Sequence, residues 1–112
     1  MKNSTMTQEQ KDLLLKDLCA RLPYGVVVKD RNGVHILTSG NTEFIDLFNG
    51  KCNIKPYLFP LSSMTEKQKI ELTCIIDSDY AKIDWYNKNH FDYRGLIPKD
   101  LANDATNLGI YE

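Results

Sequence analysis

Apolar residues recur at helical spacing in three stretches of the chain and alternate at strand spacing in a fourth. Near the start, Leu14, Leu15, Leu18, Cys19 and Leu22 share one helical face, with Lys11, Asp12, Lys16 and Asp17 largely opposite. Thr7 followed by Gln10 forms a capping box that opens this helix. Pro23 closes it, because proline disfavours helical dihedrals at the residue before it. Cys19 belongs to the apolar face, which predicts an inert, packed thiol. Residues 1–6 are polar and read as a frayed tail.

The stretch "VVVKDRNGVHILTS" reads as a hairpin, since two β-branched runs flank Asn32-Gly33. A two-residue Asn-Gly loop would pair Lys29 with Ile36. A three-residue loop over residues 31–33 pairs Lys29 with His35 and Val28 with Ile36. The second register is preferred, because it places Val26, Val28, Val34 and Ile36 on one face and His35 on the more polar one. Gly33 then takes the left-handed position of a bulged turn. In "NTEFIDLFNG", residues 42–48 fit a short helix by spacing and a strand by composition, and a third strand beside the hairpin is preferred.

Pro56 and Pro60 exclude a helix interior from "IKPYLFP" and predict an extended segment that pins Tyr57, Leu58, Phe59 and Leu61 on the core. Ser63 with Glu66 is a second capping box, opening a helix from about Met64 to Ile76. Its inner face is Leu72, Ile75 and Ile76, with Met64 and Ile70 at the margins. Asp77-Ser78-Asp79 breaks that helix and caps the next, roughly Tyr80 to His90.

Projected at a helical period, Tyr80, Ile83, Tyr86 and His90 fall in one inward stripe, with Asn87 among them. Asp84 and Lys88 pair on the exposed side. The segment "NHFDYRGLIP" then reads as the way this helix ends. His90 complements its last carbonyls, Phe91 and Tyr93 cover the core, and Gly95 lets the chain reverse. Arg94 would reach Asp92 or the Asp77/Asp79 corner. Trp85 points nearly opposite to the inward stripe. Two placements follow. The tail "LIPKDLANDATNLGIYE", anchored by Ile97, Leu101, Leu108 and Ile110, covers it; or Trp85 is exposed and forms a partner surface with Tyr93 and Arg94.

Composition narrows the function classes. The chain has 112 residues, 42% hydrophobic and 26% charged, as expected of one globular domain spanning 1–112. Fourteen Lys and Arg against fifteen Asp and Glu, with the signs interspersed, give a formal net charge of −1. That lacks the basic excess of most nucleic-acid domains. Basic loops around Lys29, Arg31, Lys51 and Lys55 keep nucleic acid as an alternative partner. Three cysteines with no CxxC spacing argue against a disulfide framework and a structural zinc site, and fit a reduced, cytoplasmic setting. Cys52 is the one thiol expected to be exposed. No apolar leader or run of membrane-spanning length occurs, so no membrane partner is expected.

Three phrases, "KDLCARLPYGV", "IKPYLFPLSSMTE" and "WYNKNHFDYRGLIPKDLA", resemble a family of short uncharacterised proteins from gut Bacteroides-type bacteria and their phages and mobile elements. The resemblance covers the first helix and nearly everything from Ile54 onward, but not residues 30–53. It implies a bacterial or phage cytoplasmic setting and an accessory role, and it brings no catalytic residue or cofactor.

No chemical constellation competes with that reading. His90 and Asp92, with Asp84, are the nearest approach to an acid–base set, but His90 and Asp92 straddle a helix end. There is no GxSxG elbow, P-loop or dinucleotide fingerprint. Two distant histidines and scattered cysteines are poor metal ligands, and "DSD" is too short for a calcium loop. The sequence therefore predicts an α+β fold: an N-terminal helix, a small antiparallel sheet built on a 26–38 hairpin, two C-terminal helices and an extended tail. It predicts no enzyme activity, cofactor or metal, and a protein-interaction role through Trp85, Tyr93 and Arg94.

Overall fold

The computed structural model describes residues 7–31, 33–40, 45, 54–75 and 79–111. The fold is α+β. Its elements are α1 (Gln8–Arg21), β1 (Val27–Asp30), β2 (Gly33–Ile36), β3 (Lys55–Leu58), α2 (Glu66–Cys74), α3 (Asp79–Lys88) and β4 (Asn103–Asp104). The strands run in the order β2-β1-β3-β4. The β1–β2 and β1–β3 pairs are antiparallel and β3–β4 is parallel. The chain divides into two compact units, Met1–Pro56 and Tyr57–Glu112.

In the first unit, α1 opens as the sequence indicates. The Thr7 hydroxyl accepts from the Gln10 amide, and the Gln10 side chain accepts from the Thr7 amide. The buried face, however, is Leu14, Asp17, Leu18 and Arg21. Leu15 and Leu22 are half-buried and Cys19 is exposed, which corrects the expected Leu/Cys face. The reason is an ion pair. Arg21 Nε lies 2.8 Å from Asp17 Oδ2, with both side chains fully buried. Residues at i and i+4 lie over one another on a helix, so turning Asp17 inward brings Arg21 with it and moves Cys19 out.

The hairpin forms where expected but in neither considered register. Val28 faces His35, Lys29 faces Val34 and Asp30 faces Gly33. The strands turn between Asp30 and Gly33; Arg31 is exposed, and Asn32 lies outside the described residues. Gly33 has φ +105°, a conformation that side chains resist, so glycine opens β2 instead of sitting in a bulge. One residue of slip exchanges the faces. Val28, Asp30 and His35 now share the inner face, while Val34 and Ile36 are 53% and 59% exposed. The expectation that Val34 and Ile36 line the core and that His35 lies on the polar side is overturned. Half-buried His35 instead places Nε2 3.1 Å from Oδ2 of the buried Asp30. Leu14, Leu18, Val26, Val27, Val28, Leu37 and Ile54 are the buried apolar residues of this unit among the described ones. Pro56 is tolerated opposite Val28 because Val28 directs its main-chain groups toward β2, leaving no ladder bond for a proline nitrogen to make. The strand-or-helix choice for residues 42–48 lies outside the described residues except at Ile45, which is helical and exposed. Cys52 and residues 1–6 also lie outside them.

In the second unit, a short 3-10 turn (Leu61–Ser63) precedes α2. The cap is Thr65 with Gln68, both reciprocal bonds being present, and not Ser63 with Glu66. Both pairs fit the capping pattern. The Ser63 hydroxyl, however, donates back to the Pro60 carbonyl at 2.7 Å, and Met64 is extended, so the helix cannot start until Thr65. α2 buries no residue, with Ile70 at 63% exposure and Leu72 half-buried. Leu61 is exposed rather than pinned on the core, and Ile76, Asp77 and Ser78 lie outside the described residues. The core of this unit is Leu58, Phe91, Leu96, Leu101, Ala102 and Ala105. The tail supplies β4, bonded to β3 through Ala105 N–H and the Leu58 carbonyl, and of its expected anchors only Leu101 is buried: Ile97 and Ile110 are half-buried and Leu108 is exposed.

Candidate functional site

The polar-aromatic cluster at 85–97 forms around the end of α3. The only buried residue of α3 is Asn87; Tyr80 and Ile83 are exposed, which corrects the inward stripe drawn through them. The inward side is Trp85, Tyr86 and Asn87. Two backbone bonds close the helix: Phe91 N–H to Tyr86 O at 2.9 Å and His90 N–H to Asn87 O at 3.2 Å. This six-to-one, five-to-two pattern is a Schellman ending, with His90 in the left-handed position at φ +63°. The apolar contact that accompanies such endings is present as well. The Trp85 and Phe91 rings stack 5.5 Å apart with 5° between their planes. The motif recurs ten residues on. Leu101 N–H reaches Leu96 O, Asp100 N–H reaches Ile97 O, and Asp100 is left-handed at φ +60°.

Between the two endings, Asp92 holds the chain. Its buried carboxylate accepts from Leu96 N–H at 2.7 Å and Ile97 N–H at 2.9 Å, the two amides that follow left-handed Gly95. On its other side the chain pairs with the end of β3. Phe59 N–H donates to His90 O, and Asp92 N–H donates to Phe59 O.

The rings form a continuous string. His90 stacks on Tyr111 at 3.8 Å, and Tyr111 leans on Phe59 at 5.8 Å. Phe59 meets Phe91, and Phe91 meets Trp85. Trp85 touches Tyr86 edge-on, and Tyr86 stacks on Tyr93 at 5.4 Å. Arg94 ends the string. Its guanidinium carbon lies 4.7 Å from the Tyr93 ring centre and its Nη2 donates to the Tyr93 hydroxyl at 2.7 Å. Thus Trp85, Tyr93 and Arg94, singled out from the sequence, belong to one assembly, with Tyr86 bridging Trp85 and Tyr93. All three are half-buried, so Trp85 is neither fully covered nor fully exposed.

Two members of the string lie outside the 85–97 segment. Tyr111 lies 21 positions from His90 and 54 from Tyr57, whose carbonyl accepts its hydroxyl at 2.7 Å; only the fold brings them together. Phe59 was assigned to packing. As for the acid–base set, the Asp92 carboxylate is engaged by two amides and the His90 ring by Tyr111. Among the described residues, no group of three or more His, Cys, Asp or Glu is placed to hold a metal ion, and no helix is long and apolar enough to cross a membrane. Of the basic residues considered for nucleic acid, Lys29 and Lys55 sit opposite each other on neighbouring strands, Arg31 is exposed, and Lys51 lies outside the described residues.

What these features define is an α+β chain whose last helix ends in an arginine-terminated aromatic string. No family model, curated protein or solved structure matches it.

Proposed function

We propose that the protein is a small non-enzymatic accessory module that works by binding another protein through Trp85, Tyr93 and Arg94. One observation carries the reading. An arginine held over a tyrosine ends a string of packed rings, and its neighbours Trp85 and Tyr93 keep part of their surface open to solvent. Trp, Tyr and Arg dominate binding energy at protein interfaces, and rings already held by neighbours lose little freedom on docking. A cytoplasmic bacterial or phage setting, suggested by the resembling phrases, belongs to the same proposal.

The test is affinity capture from an extract of the producing cell, using the intact chain and Arg94→Glu. The variant is expected to lose a partner that the wild type retains, with an unchanged circular dichroism spectrum. Full retention by both Arg94→Glu and Tyr93→Ser would overturn the proposal.

A further inference from the structure

Strand β2 ends the strand order, so one of its edges faces no other strand among the described residues. Its main-chain directions can be read from the register. Leu37 N–H donates to Val26 O, which makes Val26–Leu37, Val28–His35 and Asp30–Gly33 the hydrogen-bonded pairs of the hairpin. Val34 and Ile36 therefore direct their N–H and C=O groups away from β1. No hydrogen bond to those groups occurs among the described residues. Their side chains are the exposed β-branched pair, at 53% and 59%. Natural edge strands are blunted by lysine, proline or a bulge, or are covered; the residues of β2 are Gly, Val, His and Ile.

We infer that this edge pairs antiparallel with β2 of a second copy, about a two-fold axis at His35. The spacing is self-complementary. With the axis at His35, Val34 of one copy lies opposite Ile36 of the other, and the reverse. Each such pair exchanges two N–H to O=C bonds, four in all. The same register gathers two valines and two isoleucines on one face as directly opposed pairs, the unit of sheet stabilisation. A formal net charge of −1 offers little long-range repulsion between copies. A foreign strand would need matching apolar residues at i and i+2, which the second copy already has. Two side chains per copy make a small contact, well below the roughly 1,200 Å² of stable complexes, so a weak, concentration-dependent association is expected.

The test uses the full chain. Sedimentation equilibrium from low micromolar to millimolar concentration should show a monomer–dimer transition. Val34→Lys and Ile36→Lys change exposed side chains and should each move the transition at least tenfold higher. Hydrogen exchange supplies a second readout: the Val34 and Ile36 amides should gain protection with concentration, while Arg94→Glu changes neither measurement. That last result separates this edge from the aromatic string. A monomer at millimolar concentration, a dimer indifferent to both lysine variants, or amides that exchange freely at every concentration would each overturn the inference. So would protection that arises only when cell extract is added, which would give the edge to a foreign strand.

Discussion

Replacing His90 separates two effects that oppose each other at one residue. Its backbone is left-handed, which costs a residue with a β-carbon about 1–2 kcal/mol. Its ring, 9% exposed in a residue stacked on Tyr111, returns about 2 kcal/mol through burial and ring pairing. His90→Ala keeps the backbone strain and loses the ring, so it should destabilise by about 2 kcal/mol. His90→Gly loses the same ring but releases the strain. Against that release stands the greater freedom of glycine in the unfolded chain, about 0.5–1 kcal/mol. Glycine should therefore be more stable than alanine by about 0.5–1 kcal/mol, or about 2–6 °C in melting temperature. Urea unfolding with equal slopes for the two variants is the assay. An alanine variant as stable as the glycine variant, or more so, would refute the left-handed ending at His90.

Other substitutions probe other parts of the fold. Thr65→Ala should cost about 1 kcal/mol in urea unfolding and Ser63→Ala clearly less, because Thr65 is the residue that caps α2; the opposite order would restore the Ser63 cap. Asp17→Ala and Arg21→Met should each cost about 3–5 kcal/mol, and the double variant less than their sum, as expected when half of a buried ion pair is stranded. Tyr111→Phe removes one hydroxyl bond and should cost about 1 kcal/mol in the same assay, leaving the ring contacts in place. In the folded protein, Cys19 and Cys74 should both react with a thiol reagent within the mixing time of a stopped-flow or manual assay; protection of Cys19 would return it to the core.

Local signals carried far into the structure where one residue's chemistry decides a position. The Thr7–Gln10 box, the end of α1 beside Pro23, the hairpin's location and the helix-ending role of residues 89–98 were all readable, because caps, prolines and turn residues act within a few positions; Leu22, however, keeps helical dihedrals (φ −50°, ψ −45°), so the chain passes into a 3-10 turn there instead of leaving the helical region. Signals failed where two local patterns tied or a distant partner decided. Thr65–Gln68 and Ser63–Glu66 both have capping spacing, and only the backbone at Met64 separates them. The hairpin register was drawn toward burying Val34 and Ile36, whereas the pairing chosen by the fold buries Asp30 against His35. The Asp17–Arg21 pair was hidden for the same reason: charges were placed outside by rule, and an i,i+4 pair can be taken inside together. For the candidate site, Trp85, Tyr93 and Arg94 were found by residue type, but Tyr111 carries no local mark of its contact with His90.

The closure of the second unit also bears on the order in which a growing chain can acquire structure. The end of β3 must wait for residues 90–92 on one side, for residues 103–105 on the other, and for the Tyr111 hydroxyl to bond Tyr57. Every one of these partners is translated later, the last of them 54 positions later. Parallel and long-range pairings are slow to nucleate. Residues 57–59 therefore leave the ribosome as an apolar segment with none of these partners yet made, and that interval exposes the nascent protein to aggregation or to chaperone capture.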